Sequence, residues 1–594
     1  MAKRFGGLFL AACLTGSALA DFPWLSPVYQ NFYEFPLPVP PIKQPKATFT
    51  SPATGLPIDY YEVEIKPFFQ QVYPNLGKTR FVGYDGISPG PTFKMTQGRE
   101  AVVRFINHAD RANSVHLHGS YSRAPFDGWA EDTTEPGQYK DYYYPNSQNA
   151  RTLWYHDHAI DHTAENAYFR QAGFYILHDA QELGLGLPQG AYDIPLSLAA
   201  RRNNADGTLW DPEVNDERVS VYGDVIHVNG QPWPYLKVEP RKYRFRFLNT
   251  GVSRSYSLYF EADGALGQKV PFNVIGSDAG LTLNPAKTDH LDISIAERWE
   301  AVFDFSSYAG KNVTLRNSRQ VAADIDYNST DKVMRFVVGK SVTSQDGNGA
   351  LPPKLRDVPF PPPKSGVDRT FRFERSNSRW EINGVVWSDV AQRVMAKPER
   401  GAIEVWELQN GGGGWSHPIH IHLIDFQLIS RVGGRGAVQP YEAVALKDVV
   451  WLGTSETVRV IARYAPWDGL YMFHCHNLIH EDHDMMAAFN VTALADLNYT
   501  DTTHFIDPME PRYRAKPFAD SDLQARTGDF SDTAVQNKIN FFANLDAYAH
   551  VTDAEKALEA YWATHTATTL ATATKTSGGH VSSTTKATAT VTKK

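Results

Sequence analysis

Half of the chain's 20 histidines stand in four short clusters. These are His116-Leu117-His118, His156-Asp157-His158, His417-Pro418-Ile419-His420-Ile421-His422, and His474-Cys475-His476 with His480 just downstream. On an extended strand, residues two apart share a face, so each His-x-His can offer two imidazoles to one metal ion. A single such pair could be structural. Four of them point to a site with several metals, because burying so many imidazoles without compensation is costly and a solvated role needs no such spacing. The densest stretch adds Cys475, His480 and Met485. If 471–476 is a strand, Cys475 points one way and His474 and His476 the other. One strand would then touch two metal sites and join them through a few covalent bonds, which suits electron transfer better than hydrolysis. Thiolate, imidazole and a weak axial thioether form the blue-copper donor set. Met485 is the axial candidate, and Met486 is an apolar neighbour facing away. The all-nitrogen remainder suits copper or zinc, but zinc does no redox work and would leave the link through Cys475 without purpose.

A chain of 594 residues, 42% hydrophobic and 21% charged, is too long for one core and ordinary for a soluble globular protein. A formal charge of −8 argues against nucleic acid and anionic membrane surfaces as partners. Residues 1–20 read as a secretory signal: Lys3 and Arg4, an apolar stretch from Leu8 to Leu14, and Ala18-Leu19-Ala20 as the cleavage site. No later run is long and uncharged enough to span a membrane. Sequons at Asn312, Asn328, Asn490 and Asn498 fit a secreted glycoprotein. Of the two cysteines, Cys13 leaves with the signal, and a lone Cys475 in a secreted protein calls for an occupant such as copper.

The elements that must carry these ligands repeat. Tyr84-Asp85-Gly86-Ile87 with Val102 to Asn107, His227 to Gln231 with Tyr243 to Asn249, and Glu381 to Val385 with Ile403 to Asn410 share one order: strand, Asp-Gly or Asn-Gly turn, loop, alternating strand, Asn. The closing asparagines are 142 and 161 residues apart, a domain-sized period. Three copies of an all-β unit are expected. An N-terminal extension covers 21–45, the three domains cover 46–190, 191–350 and 367–540, a Pro-rich linker covers 351–366, and a mostly disordered tail covers 541–594. Within that tail, Asp553 to Ala563 is a weak helical candidate, and no helix is needed to place the motifs.

The four clusters resemble the copper signatures of the multicopper oxidases, which are built from three consecutive cupredoxin-like Greek-key β-sandwich domains. The resemblance runs to about residue 540. It is nearest to the fungal branch that oxidises bilirubin, through Phe126-Asp127-Gly128-Trp129, Trp415-Ser416-His417 and His474 to Met486. It implies four copper ions. Type 1 copper would take His417, Cys475, His480 and Met485; type 2 would take His116 and His420; the type 3 pair would take His118, His156, His158, His422, His474 and His476. It also implies four one-electron oxidations of a small reductant, bilirubin or phenols, coupled to reduction of O2 to two waters, in a secreted protein that works as a monomer. The second domain would be a spacer and packing partner.

Reduction of O2 consumes protons, so carboxylates near the cluster are expected. Asp127 matches the family's proton-delivering position and Glu481, beside His480, is the second candidate; a turn residue before Gly128 and a capping carboxylate are their plain alternatives. Trp415 could pass electrons or receive a flat substrate, or be a core tryptophan. Asn477 and Arg375 are substrate-side candidates by the same resemblance, the arginine for a propionate. His162, His178, His227, His290 and His483 fall outside the pattern, with His483 a possible partner of a ligand. A laccase or a metal oxidase would use the same centres, but no acidic cluster is evident near Trp415 or Asn477. A copper carrier would need the type 1 ligands alone.

Overall fold

The computed structural model describes residues 23–52, 55–319, 324–497, 504–545 and 551–565. The signal segment, Asn498 and residues 566–594 lie outside them. Each of the three repeats begins with the same pairing. Its first long strand runs parallel to the strand that ends in the repeat's asparagine: Pro57–Gln70 beside Glu100–Asn107, Asp193–Arg201 beside Lys242–Asn249, and Arg369–Ser376 beside Ile403–Asn410. The turn residues take left-handed backbone, with φ of 54° and 69° at Asp85-Gly86, 48° and 81° at Asn229-Gly230, and 53° and 77° at Asn383-Gly384. That is why only Asp, Asn and Gly recur there.

The asparagines recur for a different reason. Through Oδ1, Asn107, Asn249 and Asn410 accept the N–H two residues on (Ala109 and Gly251 at 2.9 Å, Gly412 at 3.1 Å). Through Nδ2 they donate to carbonyls further along the same loop: Arg111 and Arg254 at 2.8 Å, Trp415 at 2.7 Å. Each therefore knots the loop leaving its strand. In the third repeat this knot fixes the loop that leads into His417.

Each unit is a pair of sheets around its own apolar core. The sheets that matter for the site are two. In the first unit Gly90–Thr96, Ala172–His178, Arg151–Asp157 and Val115–His118 lie side by side. In the third, Val394–Ala396, Met486–Val491, Gly469–Cys475, His417–Ile421 and Val449–Leu452 do. The second unit holds a seven-stranded and a six-stranded sheet and its core is built around Trp233, Trp299 and stacked phenylalanines.

Both ends of the described chain depart from the expected boundaries. Residues 504–545 leave the third unit and return to the first: Lys516–Pro517 pairs with Gln138–Tyr144, and Phe505, Tyr513, Val535, Ile539 and Phe542 enter the first core. Nor is the chain after 541 mostly disordered among the described residues. Asp532–Asn544 and Val551–Thr564 are helices; in the latter, Leu558 is buried, Trp562 Nε1 donates to Arg400 O at 3.0 Å and Glu555 pairs with Arg463 at 2.7 Å. The second of these helices covers the candidate Asp553 to Ala563. At the other end, Trp24, Tyr29 and Phe32 surround Trp233 of the second unit.

Phe542 stacks on Tyr143 at 5.4 Å and meets Phe126, the neighbour of Asp127, at 5.6 Å, while Phe541 beside it is 37% exposed. Phe542→Ala is expected to cost about 3–5 kcal/mol and Phe541→Ala under about 1 kcal/mol. Denaturant unfolding of the two variants checks this, and equal losses would contradict the docking of the C-terminal segment.

Candidate metal centres

His417 opens the strand His417–Ile421 and Cys475 closes Gly469–Cys475; the two strands are antiparallel, with Ile419 opposite Cys475. His480 comes from the short helix Leu478–Asp482, an element the sequence reading did not require. Cys475 Sγ lies 3.4 Å from His417 Nδ1 and 3.6 Å from His480 Nδ1, and the two nitrogens are 3.2 Å apart. All three residues are fully buried. Met485 shares their apolar core and its backbone ties the group together: Cys475 N–H donates to Met485 O at 3.1 Å, and Met485 N–H donates to His480 O at 3.0 Å. Met486 faces the other way, into a cluster with Trp129, Trp387 and Met472.

The other eight histidines converge between the first and third units. His116 pairs across strands with His156, and His420 with His474. Their donor atoms sort into three groups: His116, His118 and His420; His118, His156 and His476; and His158, His422 and His474. His158 Nε2 and His422 Nε2 each stand 3.2 Å from His474 Nε2, and His118 Nδ1 stands 3.3 Å from His156 Nε2.

The outer nitrogens explain the protonation. His116 Nδ1 donates to Asp127 O at 2.5 Å, His420 Nδ1 to Asp448 O at 2.8 Å, His156 Nδ1 to Asp157 O at 2.7 Å and His422 Nδ1 to Asp127 Oδ2 at 2.7 Å. His118 is reversed: its Nε2 faces Asp448 Oδ1 at 3.1 Å. A ring whose outer nitrogen carries the proton presents a lone pair inward. Burial also keeps these rings neutral, holding His158 down to about 4, His417 to about 3, and His116, His118, His156, His420, His422, His476 and His480 well below the ordinary imidazole value. Inner nitrogens so close, all acceptors, cannot hydrogen-bond one another. The inner Nε2 atoms of His116 and His420 have no partner at all. Converging lone pairs without a donor are what a metal cation satisfies. Burial pushes the Cys475 thiol well up in the metal-free chain, so its thiolate also calls for a cation.

Asp127 and Glu481 both reach this cage. Asp127 bonds His422 and is buried, and burial alone pushes its carboxyl well above the usual range. Glu481 lies 2.9 Å from His474 Nδ1 and 3.5 Å from His158 Nδ1. Burial would raise its carboxyl, but those two imidazoles hold it below its ordinary value. Asp157 faces away and accepts from Ser114 N–H, Ala159 N–H and Asn166 Nδ2.

On the thiolate side, Trp415 is half-buried and meets Trp380 edge-on at 5.1 Å, with Arg375 over both rings at 5.7 and 5.2 Å. Trp380, which the sequence reading passed over, is the ring that stacks on His480, at 3.6 Å and 22°. It lies next to the third repeat's Glu381 to Val385 segment, the only signal that could have drawn attention to it. Asn477 lies between the thiolate loop and the second unit. It is buried, accepts from Ser253 Oγ at 3.0 Å, donates to Ser220 Oγ at 3.2 Å, and gives its backbone N–H to Cys475 Sγ at 3.4 Å. It pins the thiolate loop to the second unit. His483 caps its own helix by bonding Ile479 O at 2.7 Å and partners no ligand. His178 and His290 pair with Glu182 and Asp289.

Two further expectations change. An acidic cluster does exist beside the helix that carries His480: a cavity of about 290 Å³ lined by Asp161, Glu165, Glu213, Asp216, Glu217 and Asp482. Half of its carboxylates come from the acidic run 211–217, and the fold brings Asp161, Glu165 and Asp482 to it from two other segments. The second unit is also more than a spacer and packing partner. Its Arg298 forks onto Asp448, with Nη1 2.6 Å from Oδ1 and Nη2 on Oδ2, and is braced by Asp278 and by Thr152 O. Asp448 in turn holds both His118 and His420. Arg298→Lys keeps the charge but loses the fork. It is expected to weaken metal binding at the His116, His118 and His420 group by about 10- to 100-fold and leave the Cys475 centre's blue colour intact. Chelator titration followed by EPR measures this, and unchanged retention would refute the clamp.

Residues 69–182 and 359–494 match two multicopper oxidase family models. The chain is 56% identical over 543 residues to the bilirubin oxidase of Albifimbria verrucaria, covering 90% of this chain and 94% of that one. It is 32% identical to a laccase of Bacillus subtilis (strain 168), covering 73% and 94%. Among solved structures, a multi-copper oxidase from Pediococcus acidilactici superposes with a TM-score of 0.69 at 26% identity, over 82% of this chain and 96% of that one. The fold is therefore all-β with cupredoxin-like domains, and the cofactors are four coppers: one type 1, one type 2 and a type 3 pair. The chain belongs to the multicopper oxidase family, oxidoreductases that use O2 as electron acceptor.

Proposed function

We propose that this chain is a secreted oxidase of bilirubin, related tetrapyrroles and phenols, reducing O2 to two waters. The observation that carries this reading is the cage of eight histidines joined to the buried thiol through one strand. His417, Cys475, His480 and Met485 hold type 1 copper; His116 and His420 hold type 2; His118, His156 and His476 hold one type 3 ion, and His158, His422 and His474 the other. Copper in these sites supplies reversible one-electron chemistry and open positions for O2.

Electrons leave the reductant near Trp415 and Trp380, and the stacked Trp380 brings an aromatic surface against His480. From Cys475 the covalent chain runs one residue each way, to His474 in one triad and His476 in the other. Asp127 and Glu481 sit at the outer nitrogens of His422 and of His474 with His158, where each can hold a proton for the oxygen chemistry. Arg375, over the tryptophan pair, gives a flat tetrapyrrole a cation for its propionate. The A-x-A site at 18–20 and the sequons at Asn312, Asn328 and Asn490 support secretion. Among the described residues no helix is long and apolar enough to cross a membrane.

A second reading, oxidation of a divalent metal ion, is favoured by the acidic cavity beside the His480 helix. Steady-state rates on bilirubin, a phenol, Mn(II) and Fe(II) separate the two. Bilirubin is expected to give the highest kcat/KM. Arg375→Ala should lower that value by about 10- to 100-fold through KM, the worth of one charge-assisted hydrogen bond, and leave the phenol within about twofold. A metal ion as best substrate, or equal losses on both organic substrates, would reject the bilirubin reading.

A further inference from the structure

Away from the copper cage, two buried arginines face each other with no acid between them. Arg170 follows the helix Thr163–Tyr168 in the first unit, and Arg201 ends the strand Asp193–Arg201 in the second. They are 1% and 4% exposed. Among the described residues neither forms an ion pair. Arg170 donates to Gln70 Oε1 and to His227 Nδ1, the latter at 3.0 Å, and covers the Phe81 ring at 3.6 Å. Arg201 donates to Tyr168 O at 3.0 Å and Ala167 O at 3.4 Å. All these partners are neutral. A guanidinium cannot shed its proton to escape the cost of burial. Burial and the neighbouring Arg201 press Arg170 well below its ordinary value, which measures how badly the pair is served.

Among the described residues, two buried polar atoms are left over here. Arg170 Nε has no partner, and neither has His227 Nε2 on a ring that is 1% exposed. His227 Nδ1 lies 3.0 Å from both Arg170 Nη2, which can only donate, and Gly230 O, which can only accept. Between these groups lies a cavity of about 10 Å³, lined by Arg170, Arg201, His227, Ser197, Gly230 and Thr250. That is room for one water-sized species. A phosphate or sulfate does not fit. Water fits and would satisfy the donors, but would leave two positive charges buried without a counter-charge. The backbone also holds Arg170 in place at a cost, with φ at +90°, a conformation non-glycine residues avoid.

We propose that this cavity binds a single chloride ion, held between Arg170 and Arg201, as the counter-ion of a cationic seam between the first and second units. The site is separate from the copper ligands and does not depend on their assignment.

Crystals of the copper-loaded protein grown from bromide medium, measured across the bromine absorption edge, test the proposal. A bromide peak in this cavity is expected, and Arg170→Gln should abolish it. Thermal unfolding of the wild type should shift upward as chloride replaces a large organic anion at constant ionic strength, and the variant should lose that response. No peak in the wild-type crystals, with water density in the cavity instead, overturns the proposal. So does a variant that keeps the full chloride response, since the ion would then act elsewhere. If Arg170→Gln does not fold, the wild-type diffraction decides alone.

Discussion

Ten imidazoles and one thiol are buried with their donor atoms close to one another, an arrangement that is unfavourable without a ligand. Imidazole nitrogens 3.2 Å apart, turned lone pair to lone pair, gain nothing from each other. The arrangement persists because every outer nitrogen that faces a carbonyl or carboxylate is held there. Asp127 serves His116 and His422, Asp448 serves His118 and His420, and Glu481 faces His158 and His474. Three carboxylate residues thus orient six of the eight cage rings. Each is itself buried, so each must be placed by further contacts, and those contacts reach into all three units.

The strand Gly469–Cys475 does double duty because side chains alternate across it. Cys475 faces the core of the third unit with Met485, and His474 and His476 face the first unit. Its register against His417–Ile421 puts His420 beside His474 and Ile419 beside Cys475, so that two adjacent strands split their ligands between the same two centres. A shift of one residue in either strand would send both histidines and the thiol to the wrong sides.

Much of this was legible in the sequence, for reasons that are local. His-x-His spacing, the isolated Cys475 and the Asn-ended repeat all depend on neighbours within a few residues, and the structure gives each a specific contact. What escaped was non-local. Asp448 and Arg298 matter through a fork between units 150 residues apart in sequence, and nothing about Lys447-Asp448 or Ala296 to Trp299 marks them. Trp380 earns its place only once His480 folds back over it. Asn477 was a substrate-side candidate by resemblance alone, and its contacts with the second unit come from residues far away in sequence. The acidic cavity is assembled from three stretches. The helix 551–564 was indicated by the candidate Asp553 to Ala563, but its packing on Arg400 and Arg463 was not.

The central claim is that the buried cage and the thiolate group are four copper positions with fixed residue sets. Crystals of the copper-loaded protein, measured on both sides of the copper absorption edge, test it directly. Four anomalous peaks are expected. One should lie among His417, Cys475 and His480, and three within the cage: against His116 and His420, against His118, His156 and His476, and against His158, His422 and His474. Fewer than three peaks inside the cage of the fully loaded protein, or a type 1 peak away from Cys475, would contradict it.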